Sequence, residues 1–334
     1  MPARSLYFSD PESVSVEERP VPDPDDDQLL VRTERSFISS GTELLIYRDE
    51  APADIQTDET IDALDGTLSY PLQYGYAAVG QVSATGAAVD DDWIGRRVFA
   101  FHPHESHFLA TPAEVVPVDL SPDRAALVAN AEAAVNFVMD GRPKIGERVA
   151  VFGQGVVGLL TTAFLSSFPL GELTTVDCYE HRRSVSRQLG ADRTRSPDAD
   201  VGDRIGDTHA DGADLSFEVS GNPNALDEAI QVTGYAGRVV VGSWYGTKPV
   251  QLELGGKFHR SHVRVRSSQV SHVDPDHGGR WDKDRRLALV QDLLADVDPD
   301  TLITDEFPVE RAGEAYEALD STPETTLGVT LTYD

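Results

Sequence analysis

From Leu6 to about Leu120 the apolar residues fall in short runs, among them Leu29-Leu30-Val31, Ala78-Val79-Gly80-Gln81-Val82, Arg97-Val98-Phe99-Ala100 and Glu114-Val115-Val116, each bounded by Pro, Gly or Asp. Short apolar runs between turn residues predict strands, and a partly open β-barrel lobe would produce this pattern. The acidic run Pro22-Asp23-Pro24-Asp25-Asp26-Asp27 reads as a solvated turn, because it lacks the glycine and distal glutamate of a calcium loop. Beyond Ser121-Pro122 the period changes. Ala125 to Met139 is Ala-rich and helical, and Arg148-Val149-Ala150-Val151-Phe152 opens an alternation of strands and helices. That alternation is the pattern of a doubly wound α/β sheet. Later strands are expected at Leu173 to Val176, Asp214 to Val219, Arg238 to Val241 and Val263 to Arg266, with a helix at Ala225 to Val232. After Ser271, a helix from Arg285 to Asp296 and a strand from Val329 to Thr332 return to the first lobe, so the expected division is 1–124, 125–270 and 271–334.

The first strand of the second lobe runs into Gly153-Gln154-Gly155-Val156-Val157-Gly158 and then an apolar helix. Strand, glycines and helix stand in the order a dinucleotide site requires: the first glycine for the turn, the second for close approach of a pyrophosphate, the third for helix-on-strand packing. The helix N-terminus then offers unpaired N–H groups and a favourable dipole to the phosphates. Asp177 ends the next strand, nineteen residues after Gly158, where a carboxylate accepts from both hydroxyls of an adenosine ribose. That favours NAD. Arg182 and Arg183 follow closely and keep NADP as the alternative, since an arginine there neutralises a 2′-phosphate. Ser220 lies just past another predicted strand. Gly242, Ser243 and Trp244 follow the strand at 238–241 at its carboxyl end, where cofactors sit in open α/β sheets, so they are expected beside the nicotinamide.

Composition narrows the partners. The chain has 334 residues, 28 Lys+Arg against 57 Asp+Glu and a net charge of −29, which excludes a generic nucleic-acid binder. The acidic excess is spread along the whole chain, and the cations are 24 Arg to 4 Lys. Such a surface fits a salt-adapted protein, whose self-repulsion is screened over about 3 Å at 1 M salt and whose fold loosens in dilute buffer. Cys178 is the only cysteine, so an intrachain disulfide and a four-cysteine zinc lobe are both excluded. No run approaches the ~18 apolar residues of a membrane span, and Met1 to Pro20 has no apolar leader core, so a cytoplasmic location with no membrane partner is expected.

The order of parts, with Ser40-Gly41-Thr42-Glu43, Gln188-Leu189-Gly190-Ala191-Asp192 and Phe217-Glu218-Val219-Ser220-Gly221, resembles the medium-chain dehydrogenase/reductase superfamily over almost the whole chain. Within it the chain is similar to the alcohol dehydrogenase-like branch and, more distantly, to bacteriochlorophyllide-type dehydrogenases. The resemblance implies a β-rich, GroES-like catalytic lobe, a Rossmann lobe and hydride transfer to or from nicotinamide. Its departures are informative. Where zinc members carry Cys-Gly-Thr-Asp this chain has Ser40-Gly41-Thr42-Glu43, and where they carry Gly-His-Glu it has Gly75-Tyr76-Ala77. Phe101-His102-Pro103-His104-Glu105-Ser106-His107 stands in place of the four-cysteine lobe, and Glu132 matches the acidic residue near the metal but cannot hold zinc alone. No catalytic or structural zinc is therefore expected. His102, His104 and His107 offer imidazoles for a different metal, for the wall of a pocket, or for ordinary structural duty.

Without zinc, the charge on a substrate oxygen falls to hydrogen-bond donors. Tyr76 and Thr42 come first, with Ser40 and His102 to orient the substrate. A phenol with a pKa of about 10 is protonated at neutral pH and donates to a developing alkoxide, which leans the chemistry toward carbonyl reduction. Thr42 matches the hydroxyl of the superfamily's proton relay, but the relay histidine position is Leu45. The expected substrate is a small alcohol or carbonyl compound. An NADPH-dependent enone or quinone reductase, and a non-catalytic dinucleotide sensor or scaffold, are the competing functions. The resemblance implies a homodimer paired through the sheet edge near residues 238–268.

Overall fold

The computed structural model describes residues 2–61, 63–198 and 212–333, so Met1 and Asp334, at the ends of the expected spans, lie outside it. The chain forms two compact units, Met1–Ala129 with Gln291–Asp334, and Asn130–Val290.

In the first unit, the hairpin of β1 (Ala3–Asp10) and β2 (Ser13–Arg19) is followed by β3 (Leu29–Ile38), helix α1 (Ser40–Tyr47), β4 (Ala78–Thr85), β5 (Arg97–Ala100), β6 (His107–Ala110) and β7 (Val115–Pro117). The 10-residue β3 pairs with β4 on one edge; on the other its first half meets β6 and its second half meets β15 (Val329–Thr332) of the C-terminal return. Its register against β4 shifts at Leu30/Val31 and Thr33/Arg35, and such irregularities bend a strand so that one ribbon can serve two partners. Alternate residues of these strands face one core of Leu29, Val31, Val82, Val98 and Phe108, each worth about 1.5–3 kcal/mol of burial. The sheet is antiparallel except where β14 (Asp305–Pro308) lies parallel to β15.

The second unit is a six-stranded parallel sheet of β8 (Arg148–Phe152), β9 (Glu172–Val176), β10 (Arg193–Arg195), β11 (Ala213–Glu218), β12 (Thr233–Val241) and β13 (Arg264–Ser267), in the spatial order β10-β9-β8-β11-β12-β13. This is the doubly wound Rossmann order, with its switch point between β8 and β11.

Two expectations are corrected. The predicted helix over 125–139 is two helices, α2 (Pro122–Ala126) and α3 (Val128–Gly141), separated at Leu127, which caps α2. The return to the first unit begins near 291 rather than 271. Residues 271–290 stay with the second unit because Arg286, fully buried, donates to Glu132 and Asn136 of α3 and to the Val270 carbonyl. Helices α4 (Val156–Ser166), α5 (Glu180–Gln188), α6 (Pro223–Val232), α7 (Lys283–Ala295) and α8 (Ala312–Ser321) complete the chain.

Candidate active site

The nucleotide-binding loop lies at the carboxyl end of β8. Gly153 sits at φ +92°, and a Cβ there would be 2.4 Å from the Ser220 backbone, so this turn admits only glycine. A Cβ on Gly158 would lie 2.0 Å from the Gly153 carbonyl, which is the close helix-on-strand packing expected of the third glycine. Gly155 differs: nothing lies within 4 Å of its would-be Cβ, and it caps α4 without any side-chain hydrogen bond. The space above it and the N–H groups of Val156 and Val157 therefore suit an anion.

Asp177 is almost fully buried; its Oδ2 accepts from the Gln154 N–H at 2.7 Å and its Oδ1 from the Tyr179 N–H at 2.8 Å. Each oxygen keeps a second lone pair for a ligand hydroxyl. Gln154 turns inward, bonding the Gly153 carbonyl and Thr162, so it braces the loop from beneath. Arg183 is committed to Glu180 and the Asp177 carbonyl, whereas the Arg182 guanidinium lies 4.8 Å over the Tyr179 ring. At the neighbouring strand end the carboxylate of buried Glu218 collects the Ser220 N–H and hydroxyl and the Tyr245 O–H, while its carbonyl accepts from Gly242 and Ser243. Ser243 Oγ in turn accepts from Gly221, and a Cβ on Gly242 would strike Phe137. Ser220, Gly242 and Ser243 are thus gathered at the carboxyl ends of β11 and β12. Trp244 follows them, half-buried.

In the first unit the Tyr76 hydroxyl is bonded to Ser39 Oγ at 2.5 Å and to Thr42 Oγ1 at 3.1 Å. Burial pushes the phenol up to about 12, with the bonds to Ser39 and Thr42 working against that rise, so it is protonated at neutral pH. The serine that meets Tyr76 is Ser39; Ser40 opens α1, half-exposed. His102 stacks on Phe108 at 4.1 Å and bonds the Pro103 carbonyl, and burial lowers its pKa despite the opposing Glu105 charge. His107 bonds Ser106 Oγ. His104 is fully buried with both nitrogens in use, Nδ1 against Ser36 Oγ at 2.6 Å and Nε2 against Glu43 Oε2 at 2.9 Å. The three histidines therefore turn to separate partners. Among the described residues no group of three or more His, Cys, Asp or Glu is arranged to hold a metal ion.

Glu132 is taken up by Arg286, whose Nε and Nη2 lie 3.0 and 2.7 Å from its Oε1. Burial raises the Glu132 carboxyl and the Arg286 charge pulls it back. Ser39, Glu43, Ser36, Tyr316 and Tyr333 were not singled out in the sequence. The one local signal was a Ser followed within a turn by Glu ahead of an apolar run, which resembles a capping box.

A parallel sheet with a glycine loop at its switch point, and a separate antiparallel unit carrying a buried hydroxyl cluster, define a two-unit nucleotide-dependent oxidoreductase fold. Residues 156–280 match the profile of the zinc-binding dehydrogenase family. (R,R)-butanediol dehydrogenase of Bacillus subtilis is 27% identical over 237 residues, 61% of this chain and 65% of that protein. A solved structure of 2R,3R-butanediol dehydrogenase from Bacillus subtilis superposes with a TM-score of 0.80 over 99% of this chain and 100% of the other, at 20% identity. D-guloside 3-dehydrogenase of Escherichia coli K12 is 24% identical over 92% of this chain and 93% of its own length. A structure described as a short chain alcohol dehydrogenase from Escherichia coli CFT073, complexed with NADH, covers 99% of each chain at TM-score 0.79 and 18% identity. Over residues 156–280 in sequence, and over nearly the whole chain in fold, this protein is similar to the medium-chain, zinc-binding-type dehydrogenases, and its relatives are alcohol dehydrogenase-like oxidoreductases. Among the described residues no helix is long and apolar enough to cross a membrane.

Proposed function

We propose that this chain is an NAD-preferring oxidoreductase that interconverts a secondary alcohol and its ketone without a catalytic zinc, using Tyr76 as the hydrogen-bond donor to the substrate oxygen. The observation that carries this is the Tyr76 phenol, kept protonated by burial and flanked by two hydroxyls. A phenol has one proton, so a developing alkoxide competes with Ser39 and Thr42 for it; both hydroxyls then donate back to the Tyr76 oxygen and hold it in place. In the oxidative direction the alcohol gives its hydride to the cofactor and its proton to water, while Tyr76 keeps its own proton and donates to the substrate oxygen throughout.

The residues fit a dinucleotide. Open space over Gly155 and the two unused lone pairs of Asp177 are the features it needs, and a carboxylate at that place repels a 2′-phosphate, which supports NAD over NADP. When bound, the cofactor supplies or accepts the hydride. The residues do not fit a catalytic zinc: Ser40 and Tyr76 stand at the two ligand positions, Glu132 is paired with Arg286, and both nitrogens of His104 are bonded. The relatives' names, butanediol and guloside dehydrogenase, support a substrate with a secondary hydroxyl beside another oxygen.

The test is oxidation of 2R,3R-butanediol at molar salt by protein treated with chelator and assayed for metal, with NADH and NADPH titrated separately by fluorescence. Tighter NADH binding and turnover that survives metal removal are expected. Turnover that returns only with stoichiometric zinc overturns the metal-free chemistry, and preferential NADPH binding moves the cofactor assignment to Arg182.

A further inference from the structure

Helix α1 is capped in an unusual way. Ser39 occupies the N-cap position, and its hydroxyl, the group that ordinarily accepts from the first turn, makes no cap bond. A reach-back like that of a capping box, from one residue further along, is present instead: the Glu43 carboxylate takes the Ser39 N–H at 2.7 Å. Glu43 is fully buried, and its other oxygen accepts from the Tyr316 hydroxyl at 2.5 Å and from His104 Nε2 at 2.9 Å. The His104 Nδ1 faces Ser36 Oγ at 2.6 Å, which faces the Tyr333 hydroxyl at 2.7 Å. One assignment of protons satisfies every link. Tyr333 donates to Ser36, Ser36 to Nδ1, and Nε2–H to Glu43, which also receives Tyr316 O–H and Ser39 N–H. Gly75, at φ +114°, makes room for the ring, since a Cβ there would sit 2.6 Å from His104 Cδ2.

We infer that Glu43 is a positioning residue for the Tyr76 hydroxyl: held by His104 and Tyr316, its carboxylate takes over the cap of α1 and so releases the Ser39 hydroxyl to Tyr76. This rests on the proposed role of Tyr76. Desolvating a carboxylate and a histidine together is costly, and a capped helix of eight residues does not need it, because the Ser39 hydroxyl alone would serve. What the buried pair adds is a serine whose main chain is fixed and whose side chain is free. With Glu43 neutralised, Ser39 Oγ turns to the first-turn N–H groups and leaves Tyr76 with Thr42 only.

The experiment reads Tyr76 directly, in protein without substrate. Tyrosine labelled with 13C at Cζ is incorporated, and the Tyr76 resonance is identified by its loss in Tyr76→Phe. In Glu43→Gln the Tyr76 resonance is expected to shift as in Ser39→Ala, the double variant shifting no further, while tyrosines remote from the network keep their positions. In the 2R,3R-butanediol assay kcat falls about tenfold with the KM for NAD unchanged, a loss of the size of one hydrogen bond. An unmoved Tyr76 resonance in folded Glu43→Gln, or shifts that add in the double variant, overturns the inference. If Glu43→Gln does not fold, Tyr316→Phe removes one donor from the carboxylate and is judged by the same shift. Full turnover by Tyr76→Phe would sink the proposed reaction on its own and leave the resonance test standing, so the two failures are distinguishable.

Discussion

The glycine loop at 153–158 and the hydroxyl cluster around Tyr76 solve the same problem, holding a ligand-facing group still, by opposite means. The loop is shaped by a short stretch of backbone: six consecutive residues, two of them glycines because a Cβ would strike the Ser220 backbone or the Gly153 carbonyl, braced by the Gln154 and Asp177 side chains. The Tyr76 cluster is built by side chains drawn from residues 36 to 333, held by hydrogen bonds between residues as much as 297 positions apart. The difference teaches which kind of site a sequence discloses. Local steric rules write themselves into a short motif, whereas a network closed by β15 and α8 is visible only once the chain has folded.

The largest effect is expected in the nucleotide-binding unit. Arg286→Met leaves Glu132 buried without its partner and is expected to destabilise the chain by about 3–5 kcal/mol, seen in denaturant unfolding. If the variant is as stable as the parent, that unit does not depend on the buried Arg286–Glu132 pair, and its stability rests on local packing to a greater degree than that of the Tyr76 unit.

Within the loop, two alanines separate fold from ligand. Gly158→Ala drives a methyl group onto the Gly153 carbonyl and should cost about 1–3 kcal/mol of stability, together with cofactor binding. Gly155→Ala meets no protein atom, so melting is expected to stay near that of the parent while NADH affinity drops about tenfold or more, because the lost space belongs to the pyrophosphate. Equal NADH affinity in Gly155→Ala would show that the dinucleotide does not approach this glycine.

The smallest effect is in alkali. Tyr76 is raised to about 12 by burial, and Tyr316 and Tyr333 are also raised by burial, against an unfolded value of about 10. The unfolded chain releases these protons first, so their contribution to stability is complete below about pH 10 and declines as pH rises toward 12. In Tyr76→Phe the slope of melting temperature against pH above 10 should be shallower; an identical slope would show that Tyr76 is not held protonated by the fold.

Strand positions were legible because apolar runs bounded by Gly, Pro and Asp carry them: β5 and β8 fall on the expected residues, and β15 closes the return as the pattern implied. Helix α1 was not, because Ser40-Gly41-Thr42 has no helical period and its buried residues run from Glu43, a carboxylate, to Tyr47. In the loop, a Cβ on Gly153 or Gly158 would strike main chain while Gly155 stands open, and Asp177 accepts from the Gln154 and Tyr179 N–H groups. Tyr76 and Thr42 are indeed together, read from positions where other members of the superfamily keep different residues. Ser39 was passed over for Ser40 because nothing in a one-dimensional reading shows which of two adjacent serines turns its hydroxyl inward. His104 was open to three roles in the sequence, metal ligand, pocket wall or structural residue; its partner Glu43 lies 61 positions away in the chain, and only the fold brings them to 2.9 Å.

The central claim, that the Tyr76 proton does the work a metal would otherwise do, is tested most directly by Tyr76→Phe in chelator-treated protein with 2R,3R-butanediol and NAD. Loss of a donor aimed at a developing oxyanion predicts a fall in kcat of about 10²-fold or more, with NADH binding unchanged. Turnover at the parent rate with the same pH dependence would contradict the account.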